Sequence, residues 1–284
     1  MGLALVAVVI WAAWLPATRI ALDDGLGPAD ISLLRYAVPA LLLAPVCWRT
    51  GLRPDGVPVP LLIAMMCWGA PFVLLLSAGL ERASVVHTAA LVPCTMPVIA
   101  AVASWALYGE RIARARLLGM ALIGFAALCV LGSVLSGSDT TDLTAIGLLL
   151  LASCGWAAYT VAYRRSGLTA MQAAAVVFAW STLLLVPLVL LKGSALGQLS
   201  LASLVFHVTA QGVLTGCVAT IAYGLAINRL GVPRAASFSV LVPVLATLLA
   251  VVWIGETPSL IDSIALGVGT LGVAIVNGAV SFRR

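Results

Sequence analysis

Charge is what this chain is shortest of. Charged residues are 9% of its 284 residues against 63% apolar, and the mean hydropathy is +1.17. Water-soluble chains carry roughly 25% charged and about 45–50% apolar residues. A chain of this length could bury a sound core in water, but so few charges cannot clothe its surface, and lipid must be the solvent for most of it. Basic residues stand one to three at a time between apolar runs, with no basic stripe interleaved with aromatics, which argues against a nucleic-acid surface despite the formal charge of +5. Signatures of enzyme chemistry are missing too: there is no GxSxG elbow, HExxH, P-loop or spaced acid pair within the apolar runs. The two histidines, His87 and His207, lie far apart with no nucleophile beside either. Cys47, Cys67, Cys94, Cys129, Cys154 and Cys217 all fall inside apolar runs, without CxxC or Cys/His spacing. They read as small helix residues, not as disulfides or metal ligands, and no cofactor is expected. Lysine is nearly absent beside arginine, a composition bias from which no mechanism follows.

What the chain has is apolar length. Runs near the ~20 residues that cross ~30 Å of hydrocarbon recur at about 2–22, 30–48, 59–79, 84–108, 116–136, 143–163, 170–191, 201–225, 234–254 and 260–281. Unpaired backbone groups are costly in lipid, so each run is expected as a helix. The fold class is then an all-α integral membrane protein with ten transmembrane helices. The N-terminus opens directly into the first run, with no basic n-region, and reads as a retained first span rather than a signal peptide. With that end in the cytoplasm, the inner side receives Arg49, Arg53, Arg111, Arg114, Arg116, Arg164, Arg165, Arg229, Arg234, Arg283 and Arg284. Outer loops receive only Arg82 and Lys192, and Arg19 and Arg35 sit near the outer ends of the first two spans. Such asymmetry sets orientation, here with both termini cytoplasmic.

The halves of the chain answer each other. Trp11-Ala-Ala-Trp14 meets Trp156-Ala-Ala-Tyr159, and Arg19 meets Arg164; Pro45 and Gly51 meet Pro187 and Gly193; Pro97, Gly109 and Glu110 meet Pro243, Gly255 and Glu256. Two repeats are expected, 1–138 and 139–284, each of five helices. An odd number turns the second copy upside down. The charges agree: Glu110 is followed by Arg111, Arg114 and Arg116, whereas Glu256 is followed by Thr257, Pro258 and Asp262. Inverted repeats are a common architecture of secondary transporters, with substrate bound near the midplane between them.

These residues carry a resemblance to the drug/metabolite transporter superfamily, of the EamA type. The matching pieces are Ile10-Trp11-Ala12-Ala13-Trp14 with Arg19, Ser32-Leu33-Leu34-Arg35-Tyr36, Pro97 through Tyr108-Gly109-Glu110-Arg111, Gly155-Trp156-Ala157-Ala158-Tyr159 with Arg164-Arg165, and Pro243 through Gly255-Glu256-Thr257. The resemblance covers essentially the whole chain. It implies a basket of helices around a central cavity, exporting small metabolites from a bacterial inner membrane without ATP hydrolysis. Within the superfamily the chain is similar to an amino acid exporter, but that exporter's aromatic residues before the proline of the fourth span are replaced by Cys94-Thr95-Met96. Amino acids are the expected substrates; a drug or nucleoside-type solute is the alternative within transport, and an intramembrane enzyme or a scaffold outside it. The expected partners are a small-molecule substrate and the lipid bilayer, and a monomer suffices.

Polar and aromatic residues inside spans mark the candidate site. Trp11 and Trp14 share a face of the first span with Thr18, and Trp156 and Tyr159 repeat the pattern in the sixth with Tyr163. Trp68 in the third span and His87 in the fourth complete the substrate-binding set, His87 being also the natural proton-sensitive group. Trp and Tyr near helix ends can instead belong to an interfacial belt, and a buried histidine can be purely structural. Pro71, Pro93, Pro97 and Pro243 are expected to kink their spans. Gly119 and Gly124 in the fifth span, with Gly267, Gly269 and Gly272 in the tenth, are expected to allow close helix approach and form the static base of the basket. The spans offer no mid-span acid, so transport driven by the substrate's own gradient is expected.

Overall fold

A computed structural model describes residues 1–136, 141–230, 234–235 and 238–279. Among them there is no strand, and helices occupy the apolar runs. In chain order they are α1 Gly2–Asp23, α2 Pro28–Leu42, α3 Ala44–Thr50, α4 Val59–Met66, α5 Ala70–Leu80, α6 Val85–Tyr108, α7 Arg114–Leu135, α8 Leu143–Ser166, α9 Ala170–Lys192, α10 Leu201–His207, α11 Ala219–Leu230, α12 Val242–Ile254 and α13 Leu260–Val276. Between α10 and α11 the chain stays helical over Val208–Val218 with wider, π-type turns. Seven helical stretches are long and apolar enough to cross a bilayer, and an eighth is counted if α2 and α3, bent by 73°, form one span. Ser239–Ile254 and Leu260–Val276 are apolar but shorter. The expected ninth and tenth spans both run into residues outside the described set, among them Arg283 and Arg284.

Helix ends are closed by local chemistry, as lipid and its interface demand. The Ser84 hydroxyl accepts the His87 amide at the start of α6, and Asp142 accepts the Ala145 amide at the start of α8. Thr169 with Gln172, and Ser259 with Asp262, form capping boxes on α9 and α13. Gly109, Gly167 and Gly255 end α6, α8 and α12 in the left-handed region. The prolines act unevenly. The third span breaks between Met66 and Ala70 with Pro71 just after the gap, whereas α6 runs through Pro93 and Pro97 as one helix.

Burial is inverted relative to a soluble protein. Leu41, Leu128, Leu190, Leu191 and Val252 point outward, while His87, Gln211 and Thr18 are fully enclosed. Exposed apolar surface on this scale is a lipid-facing coat. Helices of the two halves pack mainly on each other: α1 on α12 and α11, α6 and α5 on α8, α2 on α9, and α7 on α13.

The α7–α13 pair is the closest. A Cβ at Gly119 would lie 2.7 Å from the Gly272 carbonyl oxygen, and one at Gly272 would lie 2.7 Å from the Gly119 carbonyl oxygen. Those neighbours are backbone and cannot swing aside. Gly124, one turn along α7, has open space around it. Gly119→Ala should therefore destabilise the fold by about 1–3 kcal/mol, while Gly124→Ala should be neutral or slightly stabilising. Thermal unfolding in detergent, followed by monodispersity on a sizing column, reads the difference; equal melting points would show that the pair is not closely packed.

Candidate functional site

One line of aromatic rings runs through the middle of the bundle. Trp14 of α1 stands 6.3 Å from Phe72 of α5, which meets Trp156 of α8 edge-on at 5.8 Å. Trp68, in the break between α4 and α5, lies 6.5 Å from Phe72 and stacks on Tyr159 at 4.7 Å; Tyr163 stacks on Tyr159 at 5.7 Å. These separations are those of favourable aromatic pairs. Burial falls along the line: Trp14 and Phe72 are buried, whereas Trp68, Trp156, Tyr159 and Tyr163 are half-buried.

The broken third span places Trp68. Its interruption frees backbone groups that lipid could not satisfy. The Tyr36 hydroxyl donates to the carbonyls of Trp68 and Gly69 at 2.8 and 2.9 Å, and the Ser181 hydroxyl accepts the Ala70 amide at 3.0 Å. Helices α2 and α9 thus hold the gap in shape, and the indole hangs from it toward α8.

A buried polar chain adjoins the upper ring. The Trp14 indole N–H donates to Gln211 Oε1 at 2.6 Å, Gln211 Nε2 donates to Thr18 Oγ1 at 3.2 Å, and the Thr18 hydroxyl donates to the Trp14 carbonyl at 2.8 Å. Over the face of Trp14, 4.1 Å from its centroid, lies the guanidinium of Arg35, a residue only 5% exposed. The π-type helix can approach α2 this closely because of two glycines: a Cβ at Gly212 would fall 2.8 Å from the Leu34 carbonyl, and one at Gly216 would fall 2.9 Å from that of Arg35.

Polar clusters tie both ends of the bundle. At the end where α6 begins, His87 Nδ1 and Nε2 lie 2.8 Å from Thr141 Oγ1 and 2.8 Å from Asp262 Oδ1. Glu256 accepts the Val85 and Val86 amides at 3.0 and 2.9 Å, and Arg19 donates to the Ala83 carbonyl. Arg82 pairs with Asp142 at 3.1 Å, and the Ala145 amide is the chief group that holds the Asp142 carboxyl below its usual range. At the opposite end, Glu110 pairs with Arg165 at 2.5 Å and Arg164 at 3.7 Å, while the Arg165 guanidinium covers the Tyr108 ring.

The structure therefore brings Trp14, Trp68, Trp156 and Tyr159 together. It places the other two expected site residues elsewhere: Trp11 packs on Tyr223 of α11 at 4.8 Å, and His87 belongs to the end cluster. Sequence reasoning missed Phe72, which joins the two halves of the line, because a lone Phe in an apolar run carries no signal. It passed over Arg35 as an outer-end charge and gave Gln211 no role. An arginine two turns inside a span was the available cue. A hollow of about 520 Å³ lies along Arg53–Pro58, in the loop before α4, and none of these rings lines it. No group of three or more His, Cys, Asp or Glu suited to a metal occurs among the described residues.

Comparison with known proteins gives the family. The model of the EamA-like transporter family matches twice, over residues 1–132 and 143–278. A curated relative from Streptantibioticus cattleyicolor, described as a probable terminal-alkyne amino-acid exporter, is 27% identical over 98% of this chain and 93% of its own. A solved crystal structure shares the fold with a TM-score of 0.59 at 20% identity, covering 96% of this chain and 94% of that one. A lipid-facing coat, aromatic rings meeting between the halves and a family match spanning both halves lead to one assignment: the chain belongs to the EamA-like transporter family and is a multi-pass membrane transporter, not an enzyme.

Proposed function

We propose that this transporter exports amino acids across the bacterial inner membrane by alternating access, with the aromatic line between the halves as its substrate path. The observation that carries the reading is that line itself. Trp14 and Phe72 come from the first half and Trp156 and Tyr159 from the second, so a solute among them is held by both. Transporters built from repeats bind substrate at such an interface. The relative's description as an amino-acid exporter supports the substrate class.

The two short apolar helices complete ten spans, arranged as inverted repeats. Packing supports this: exchanging the halves carries the α1–α12 contact onto α8–α6, and the α1–α11 contact onto α8–α5. The arginine asymmetry puts the Glu110 end in the cytoplasm and the His87 end outside. The half-buried rings lie toward the cytoplasmic end, so the described state is sealed outside and looser inside. Trp14, Trp68, Phe72, Trp156 and Tyr159 contact the solute; Trp11 and His87 act from outside this set.

Counterflow in proteoliposomes tests the reading, with a panel of neutral L-amino acids that includes L-propargylglycine, a terminal-alkyne amino acid. Exchange of labelled amino acid is expected; exchange of nucleosides or cationic drugs alone would replace the substrate class, and no exchange of any solute would remove the transport role. Trp156→Ala should slow exchange about tenfold, the scale of one lost aromatic contact, with folded yield retained. Trp48→Ala, at a position 91% exposed, should leave exchange unchanged, and equal behaviour of the two variants would assign Trp156 to packing. For orientation, a reporter after Arg284 should read cytoplasmic and one inserted near Ser138 periplasmic; both sites lie outside the described residues. Like signals from the two would sink the inverted-repeat arrangement. Energy coupling follows from the pairing of the histidines: His87 with Asp262 and His207 with Asp24, near one end of the bundle. Among the described residues no acid stands along the aromatic line, which supports export driven by the substrate gradient. Uphill accumulation powered by an imposed proton gradient and abolished by an uncoupler would contradict this.

A further inference from the structure

We infer that Arg35 is the carboxylate anchor of the transport path, so that this protein recognises its substrates by their carboxylate. The inference rests on the transport reading above but names a ligand group and a residue that the reading does not.

An arginine inside a span has three ordinary fates. It can reach the interface with its head in water, staple helices through backbone carbonyls, or pair with a carboxylate. Other arginines of this chain show the last two: Arg19 donates to the Ala83 carbonyl, and Arg165 pairs with Glu110 and donates to the Val161 carbonyl. Arg35 follows none of them. It is 5% exposed, so water does not reach it, and its Nη1 is buried without a hydrogen-bond partner. The adjacent Tyr36 hydroxyl donates to the Trp68 and Gly69 carbonyls and lies beside the guanidinium, where it can accept one N–H, but it leaves Nη1 unpartnered.

The acid nearest in sequence is taken, and so are two others. Asp30, on the same helix, accepts the Ser194 hydroxyl at 2.6 Å and the Ala195 amide at 3.1 Å. Asp24 pairs with His207 and Asp262 with His87. A buried guanidinium without a counter-ion is among the most costly arrangements a membrane span can hold. It persists where a function requires it, and the missing partner is then a ligand.

Geometry fits that partner. Trp14 occupies one face of the guanidinium, a cation–π contact that steadies the plane while Nη1 stays without a partner. Gln211 bonds Thr18 and the Trp14 indole, which holds the platform in place. The guanidinium fork matches a carboxylate in its own plane, two N–H groups to two oxygens. From there the rest of the molecule would extend along Phe72 and Trp156. Among the described residues no acid stands beside the line to receive an ammonium group, so the amine of an amino acid contributes less to recognition than its carboxylate.

Purified protein in detergent, read by tryptophan fluorescence and thermal shift, tests this with L-propargylglycine, its carboxamide and its deaminated acid. The two acids should bind within about tenfold of each other, and the carboxamide at least about tenfold more weakly, the scale of a lost charge-assisted pair. Arg35→Gln should abolish the preference for acid over amide, and Arg35→Lys, which keeps the charge but not the fork, should weaken it. A preference retained in both variants would overturn the anchor. Should neither variant fold, the wild type decides by solid-state NMR: carbon-13 in the bound carboxylate must be dephased by nitrogen-15 in arginine side chains, and absence of dephasing overturns it. Equal binding of acid and amide by the wild type sinks the anchor even if amino acids are exchanged. Binding and exchange of the deaminated acid, without exchange of any amino acid, keeps the anchor and removes the amino-acid reading. A preparation that exchanges another solute but binds neither acid overturns the anchor.

Discussion

Lipid offers no hydrogen bonds, and every polar group this chain carries into the bilayer has to find its partner within the protein. The constraint shapes the structure at each level. Helix ends close on their own side chains, as at Ser84, Asp142, Thr169 and Ser259. The break in the third span is tolerated because Tyr36 and Ser181 take up its freed backbone groups. Most ionisable residues gather at the two ends of the bundle, where their pairs hold helices from different halves together. What remains in the centre is a line of aromatic rings, with the Arg35 guanidinium over Trp14 as the exception.

The end clusters also show how matching positions of the two halves make different contacts. Glu110 and Glu256 occupy matching positions, as do Arg164 and Arg19. At one end the match gives a direct ion pair, Glu110 with Arg165 and Arg164. At the other, Glu256 and Arg19 both reach the chain just before and within the first turn of α6, the acid accepting amides and the arginine donating to a carbonyl. One helix, α6, is thus gripped at both ends, and each grip is a few exposed or half-exposed polar contacts, individually weak. The α7–α13 pair is instead locked through glycine backbones.

Much of the fold was legible because its signals are additive. Apolar length gave the helices, and the ordered matches between halves pointed to a duplication before any contact was known. Gly119 and Gly272 were readable as a close approach because small residues at helical spacing in two long apolar runs have little other use; Gly124 and Gly267, readable by the same rule, face open space. The site was only partly legible. Trp14, Trp68, Trp156 and Tyr159 stood out by residue type, and they do meet. Trp11 stood out equally and packs on Tyr223 instead, since helical spacing fixes a face but not what lies opposite it. Asp262 looked like an outer-loop acid, yet it caps α13 and reaches His87 across 175 positions of sequence. Long-range pairings of that kind leave no trace in a single chain.

The same constraint separates the polar groups that complete the fold from those left without a partner, which among the described residues are Arg35 Nη1, Ser77 Oγ, His207 Nδ1 and Thr270 Oγ1; of these only Arg35 carries a fixed charge. His87 has a partner at each ring nitrogen, Gln211 is enclosed and bonded at both ends of its amide, and Asp30 is held by two donors. These groups are finished, and removing a partner from any of them would leave a buried orphan. Arg35 is already such an orphan at Nη1 in the resting protein. A group whose satisfaction is deferred favours the loaded transporter over the empty one without needing a proton to move. Under the proposed anchor, the carboxylate of the solute supplies the charge that the bilayer interior lacks.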